Sequence, residues 1–239
     1  MNKVYCLIRK GFAAAGIGLF KISNTFASRR LQFLSDLGVT VVLDVGANRG
    51  QYASEILGQG YAGRVVSFEP LTVPFEALRR IVSTNPTHAC LQFALGAVDG
   101  RAEIHVSENL VSSSLLTVSD ECLTACHEAR CVGAETIEVR RLDTIAPEII
   151  QSSDRIHLKI DTQGTEKDVL LGGERMLAQV VSIELELSLT SLYDNQPLFT
   201  EMCKLLADAN FRCVWLERGF MNEQTGHTLQ VDGFFVRET

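Results

Sequence analysis

With 239 residues, 46% of them hydrophobic, the chain is long enough to bury a substantial core as one large domain. Its 22 basic and 29 acidic residues give a formal charge of −7 and are spread without blocks; there is no basic stripe to track a phosphate backbone, which excludes nucleic acid as a partner. Seven cysteines, at 6, 90, 122, 126, 131, 203 and 213, form an odd count without framework spacing, which suits a reducing compartment such as the cytoplasm.

The chain opens with MNKVYCLIRKGFAAAGIGLFKISNTF. Its longest charge-free run, Gly11 to Phe20, falls well short of the roughly 20 apolar residues a bilayer span needs. A basic start, a short apolar run and the tripeptide Thr25-Phe26-Ala27 imitate an export signal, but Arg9 and Lys10 split the run. Residues 1–39 are expected to form a helical extension that packs on the domain, covers the substrate or makes a peripheral contact with a membrane surface.

From Val41 onward, short apolar strands alternate with helical patterns, as in a parallel sheet with helices on both faces. VVLDV is the first strand and QYASEIL the following helix. RVVSFEP is the second strand. VPFEALRRIV is a helix with Pro74 in its first turn and Phe75, Leu78 and Val82 on one face. ACLQFALG, closing at Gly96, is the third strand.

Residues 99–153 break the alternation and read as a β-rich insertion. RAEIHVSE and TIEVRRLDTI each alternate apolar and polar residues, as half-exposed antiparallel strands do. Between them lie the serine-rich VSSSLL and ECLTACHEARC. The latter carries Cys122, Cys126, His127 and Cys131, which zinc could use if they converged, but the spacing matches no common finger or ribbon and favours free thiols on a helix.

The alternation then resumes. RIHLKID is a strand, and TEKDVLLGG starts a helix with Thr165 and Asp168 at capping-box spacing. VVSIELELS is a strand. PLFTEMCKLLADANF is a helix with Leu198, Met202, Leu205, Leu206 and Ala209 on its core stripe. RCVWLE and VDGFFVRE close the chain as an antiparallel hairpin.

The sharpest chemical signal is VVLDVGANRG, Val41 to Gly50, where a strand feeds a glycine-rich turn and then a helix. A dinucleotide fingerprint would read G-x-G-x-x-G and bring backbone amides against a pyrophosphate. Gly46 and Gly50 are instead spaced G-x-x-x-G, and Asp44 would repel a pyrophosphate. A carboxylate there suits a cofactor with a cationic head and no phosphate, such as S-adenosylmethionine. Glu69, 23 residues after Gly46, ends the second strand, where an acid can accept both ribose hydroxyls of a nucleoside.

At this point DVGANRGQY, FEP, LKIDTQGTEKDVLLGG and a later ELS segment resemble the FkbM-type methyltransferases, from about Val41 to Arg237. The resemblance implies a Rossmann-like α/β fold of the class I methyltransferase type over residues 40–239, with a seven-stranded, mostly parallel sheet. It further implies S-adenosylmethionine as cofactor and an acceptor hydroxyl on a sugar, glycolipid or polyketide-type metabolite. Carried over by position, Asp44, Gly46, Ala47, Asn48 and Gly50 match the cofactor loop, with Glu69 and Pro70 at the ribose. Ala94 falls at the adenine contact, where many members carry an asparagine before the alanine and this chain has Phe93. Lys159, Asp161, Gly164 and Glu166 match the second block.

The family's strand order would set the strand of residues 155–161 between the first strand and that of 180–188. Strand alternation puts His157, Lys159 and Asp161 on one side, and Glu184 and Glu186 share a face. Such a group of acids demands an explanation, because unpaired carboxylates are costly to bury together. Lys159 can offset one or two of them, Asp161 or Glu186 can act as general base, or a divalent cation can sit between Asp161 and a neighbouring acid. Asp161, Glu186 and Lys159 are thus the candidate catalytic residues. His157 is expected to be a packed imidazole; Tyr193 is read either as packed or as stacking on a sugar ring, and His227 and Asp232 flank the final hairpin. The rival readings are an NAD(P)-binding oxidoreductase and a non-catalytic binding protein of the same fold.

Overall fold

The computed structural model describes residues 25–238, so the expectations for residues 1–24 lie outside the described residues. A seven-stranded sheet is built from β1 (Val41–Val45), β2 (Arg64–Phe68), β3 (His88–Leu91), β7 (Ile156–Ile160), β8 (Val180–Ser188), β9 (Phe211–Arg218) and β10 (Gln230–Arg237). Its order is β3-β2-β1-β7-β8-β10-β9. β10 runs antiparallel to both of its neighbours, and the pairings from β3 to β8 are parallel. This is the α/β, Rossmann-like architecture expected, with the reversed hairpin at its end. The strand ends at which β1, β2 and β7 turn into helices all point the same way, where open parallel sheets place their ligands.

Helices cover both faces. On one side the helices α5 (Leu142–Ile149), α6 (Glu166–Gly172) and α7 (Phe199–Asp208) seat Leu142, Ile145, Val169, Leu170, Met202 and Leu206 on the sheet. The strands answer with Leu43, Val45, Leu158, Ile160, Ile183 and Leu185. On the other side lie α1 (Phe26–Asp36) and α2 (Gln51–Gly58), which bury Leu34, Ala53 and Ile56 against Val42 and Val65. The helix α3 (Thr72–Val82) follows β2 and buries Pro74 and Leu78. Among the described residues no helix is long and apolar enough to cross a membrane.

The sheet face under α1 and α2 is largely polar. Asp44, Ser67, His157, Lys159, Ser182 and Glu184 are all buried there. Arg30 of α1 enters this layer and grips Glu184 bidentately, Nη2 to Oε1 at 2.7 Å and Nε to Oε2 at 3.1 Å. The Tyr52 hydroxyl donates to Glu184 Oε2 at 3.0 Å, and the guanidinium stacks 4.1 Å from the Phe26 ring centroid. His157 bonds Ser182 Oγ through Nδ1 at 2.8 Å and is packed, as expected. Pairing and hydrogen bonding make such burial tolerable.

Three local expectations are corrected. ACLQFALG is not one strand: β3 ends at Leu91, and Ala94–Leu95 form β4. β4 joins β5 (Gly100–Ser107) and β6 (Cys131–Arg140) in a separate three-stranded sheet ordered β4-β6-β5, with the short helix α4 (Asp120–Ala125) between β5 and β6 in the chain. Between β3 and β4 the Phe93 ring turns onto Phe68, with centroids 5.7 Å apart. In the insertion β5 and β6 pair antiparallel, but Leu142 to Ile145 belong to α5, whose apolar side seats in the main core. The Thr165–Asp168 capping box does not form either. Thr165 turns its hydroxyl to Thr162 O, and the buried Glu166 carboxylate takes the amides of Thr162 and Gly164 instead.

Candidate active site

The loop after β1 is bonded to the end of β2. The Gly46 and Ala47 amides both donate to Phe68 O, at 3.0 and 2.9 Å. Gly46 has φ +75°, and a Cβ there would stand 1.8 Å from Asp161 O, so no other residue fits. Gly50 caps α2 at φ +84°, packed against Leu78. Asn48 also has positive φ; its amide donates to Glu69 Oε2 at 2.8 Å, while Glu69 Oε1 accepts from Leu71 N at 2.9 Å. Burial pushes the Glu69 carboxyl up to about 7, against the pull of those two amides.

These elements line a cleft. Gly46 and Asn48 form one wall, Glu69 and Pro70 the next, and Ala94 with Leu95 an apolar patch. Leu110 and Ser113 of the insertion close over it, and Asp161 stands at its rim. Ala47 and Gly50 are buried and shape the loop from behind.

Asp44 lies beneath the loop, fully buried. The Ser67 hydroxyl donates to its Oδ2 at 3.1 Å, and Lys159 Nζ is 3.4 Å from Oδ1. With the Ser67 proton committed to Asp44, His88 Nε2 at 2.9 Å must be the donor to Ser67 Oγ, so this imidazole carries its proton on Nε2. Burial lowers the His88 pKa and keeps the ring neutral. Lys159 spans two acids, with Asp161 Oδ2 also 3.4 Å from Nζ. Burial opposes its charge, but Asp161, Asp44 and Glu184 together hold its pKa above the usual lysine range. The acid cluster is therefore partly a salt-bridge network.

Asp161 and Glu186 meet through a residue that sequence pattern did not single out. Gln163 Nε2 donates to Asp161 Oδ1 at 2.8 Å and to Glu186 Oε2 at 2.9 Å. Its Oε1 accepts from the Tyr193 hydroxyl at 2.8 Å, which identifies Tyr193 as packed and orienting. Gln163 sits at φ +55° ahead of Gly164 at φ +104°, a tight left-handed turn. Gln230 Nε2 reaches Glu186 Oε2 at 2.6 Å. Burial, with Asp161, Glu166 and Asp232 nearby, pushes Glu186 well above the carboxylate range, and burial pushes Asp232 up to about 7. His227 lies on an exposed turn. A second cleft opens beside the first and shares Val111, Asp161 and Gln163 with it.

Among the described residues no group of three or more His, Cys, Asp or Glu side chains is placed to hold a metal ion. Cys122 is buried, Cys126 half-buried and Cys131 exposed, all as free thiols. The cradle fits a nucleoside cofactor by its own geometry: a loop with no room for a side chain at Gly46, and a buried carboxylate whose two amide bonds aim it at the cleft.

Residues 44–213 match the family model described as Methyltransferase FkbM domain. The 2-O-methyltransferase NoeI of Sinorhizobium fredii is 31% identical over 184 residues, spanning 73% of this chain and 74% of that protein. Among solved structures, Sp1610 of Streptococcus pneumoniae in complex with S-adenosyl-L-methionine superposes with a TM-score of 0.49 at 13% identity, covering 89% of this chain and 73% of that one. The 1,6-didemethyltoxoflavin-N1-methyltransferase of Burkholderia thailandensis, with 1,6-didemethyltoxoflavin and S-adenosylhomocysteine bound, gives 0.47 at 13% identity, over 99% and 90% of the two chains.

Proposed function

Because the chain belongs to the FkbM methyltransferase family and is an S-adenosylmethionine-dependent methyltransferase, we propose that it methylates a hydroxyl oxygen of a sugar, glycolipid or polyketide-type metabolite. Family membership sets aside the nicotinamide and non-catalytic alternatives. The oxygen acceptor is supported by the similarity to NoeI, a 2-O-methyltransferase.

The observation that carries the site is the cleft between Gly46, Glu69 and Asp161. In this reading Glu69 accepts the ribose hydroxyls, Gly46 and Asn48 bring backbone against the nucleoside, Pro70 and Ala94 flank the base, and Ala47 and Gly50 hold the loop's shape. Asp44 acts from below by fixing Lys159. When bound, S-adenosylmethionine supplies a methyl group made electrophilic by its sulfonium sulfur.

The chain's own work at the rim is to place the acceptor and take its proton. Asp161 is the proton acceptor: its carboxylate is partly open to the cleft, with Oδ1 bonded to Gln163 and Oδ2 facing Lys159. Glu186 shares the Gln163 amide, and burial beside Asp161, Glu166 and Asp232 shifts it toward its protonated form. Lys159 limits the electrostatic cost of an anionic Asp161. Positioning and proton removal of this kind are what an in-line methyl transfer to oxygen requires.

The test is incubation of the purified protein with methyl-labelled S-adenosylmethionine and lipid and sugar fractions, with the product identified by mass. Label appearing on nitrogen or carbon would overturn the oxygen acceptor, and absence of heat on titrating S-adenosylhomocysteine would overturn the cradle.

A further inference from the structure

The second cleft differs in chemistry from the first. Neutral polar side chains line it, among them Asn109, Ser112, Gln163, Tyr193 and Gln230. Leu192 and Phe220 supply apolar surface. Its charged lining consists of the carboxylates Asp161 and Glu186; no lysine, arginine or histidine lines it among the described residues. Lys159 lies close by but is engaged between Asp44 and Asp161. Beyond Glu186, the other ionisable groups acting on this corner are Glu166 at the start of α6 and Asp232 on β10, both acids.

Given the methyltransferase reading above, on which this step rests, we infer that the second cleft is the acceptor site and that it takes an electrically neutral, hydroxyl-bearing ring, excluding acceptors that carry phosphate or carboxylate on that ring. The Asn109 and Gln163 amides and the Gln230 amino group are held by internal hydrogen bonds. This leaves the Ser112 hydroxyl as donor and the Gln230 amide oxygen as acceptor for ring hydroxyls, while Phe220 and Leu192 match the C–H face of a pyranose or cyclitol. A phosphate would find no arginine fork and would meet Asp161 at the shared rim, which makes it unfavourable in a partly dehydrated cleft. An ammonium is not matched either. Glu186 is pushed toward its neutral form and the Asp161 charge already faces Lys159. The cleft is thus built for hydrogen bonds without a formal counter-charge.

The position shared by both clefts offers a clean probe. Val111 is 54% exposed at the edge of each, so a lysine there needs no repacking. The experiment measures kcat/KM of the full chain with labelled S-adenosylmethionine against alkyl glycosides of hexoses and 6-deoxyhexoses, matched hexose phosphates, hexuronic acids and hexosamines. The same panel is run on Val111→Lys. Neutral glycosides should exceed phosphates and uronates by about 100-fold, and V111K should narrow that ratio by about tenfold. Equal or better turnover of phosphates, uronates or hexosamines overturns the charge assignment. Transfer to no member of the panel, with S-adenosylhomocysteine binding intact, overturns the ring assignment but leaves the cradle standing. Loss of binding itself would instead sink the reading on which it rests.

Discussion

Gly46 and Asp161 meet backbone to backbone: a Cβ on the glycine would stand 1.8 Å from the aspartate's carbonyl oxygen. The loop after β1 and the loop after β7 are therefore locked together at the point where the proposed nucleoside site adjoins the proposed proton acceptor. Neighbouring bonds reinforce the contact, since Asp161 N donates to Val45 O at 3.0 Å.

Gly46→Ala should test that lock. The new methyl group would force the two loops apart and place an alanine at φ +75°. Overpacking and left-handed strain together should cost about 3 kcal/mol of stability, read by urea denaturation. S-adenosylhomocysteine affinity should fall in the same variant, because the loops can no longer close to their native separation. Native stability with native affinity would show that the contact carries no constraint.

Cofactor affinity should depend on pH through Glu69. Its carboxyl is raised to about 7 in the folded protein from an ordinary value of 4.5, and only the ionised form accepts from both ribose hydroxyls. Binding of S-adenosylhomocysteine should weaken as pH falls below about 7, by up to about tenfold per unit. The sign for folding is opposite. A raised acid pKa favours the fold at low pH, and this contribution is lost as pH rises from 4.5 to about 7. Calorimetry between pH 5.5 and 8.5 checks the first slope, with Glu69→Gln expected to bind weakly and without it.

Arg30 should matter far more than an ordinary helix-surface arginine. It is the bidentate partner of the buried Glu184. Burial pushes Glu184 up, but His157 and Arg30 beside it more than offset this and hold its pKa below the usual carboxylate value. Such a group stabilises the fold above its unfolded value of 4.5 and loses that contribution as pH falls through its lower folded value. Arg30→Met should cost about 3–5 kcal/mol near neutral pH by leaving a buried charge unpaired, and the deficit should narrow below pH 4.5. A variant with unchanged denaturation midpoints at both pH values would contradict this account.

Turnover and affinity should separate at Asp161. Asp161→Asn keeps the shape of the rim but removes the proton acceptor, so kcat should fall by about 10²-fold or more while S-adenosylhomocysteine affinity changes little. Gln163→Leu should lower kcat less, since both carboxylates remain but lose their common donor. Equal loss of affinity and turnover in D161N would place Asp161 in cofactor binding instead.

The parts of the proposed cradle are legible in the sequence because they are local. The buried strand VVLDV, the glycines at 46 and 50, and the acid ending RVVSFEP each leave a short-range mark, and β1 and β2 then set them side by side. Gln163 left none. Its role arises from Asp161, Glu186 and Tyr193, three partners on different segments, and its nearest hint was the glycine that follows it. Arg30 was hidden for a similar reason: a charged residue on a short helix reads as solvated until Glu184 is seen opposite. The break between β3 and β4 was illegible because ACLQFALG has the same periodicity as one strand or two. The turn of Phe93 onto Phe68 is a tertiary preference.

The stretch from β5 to β6 reaches both clefts through Leu110, Val111 and Ser112, whereas Asp44, Gly46, Glu69 and Lys159 belong to the sheet and its own turns. The proposed acceptor cleft is thus divided between this stretch and the segments that carry Gln163, Leu192, Phe220 and Gln230. Retargeting the methyl group would call for exchanging this stretch together with those segments, while the turn around Gly46 is left as it is.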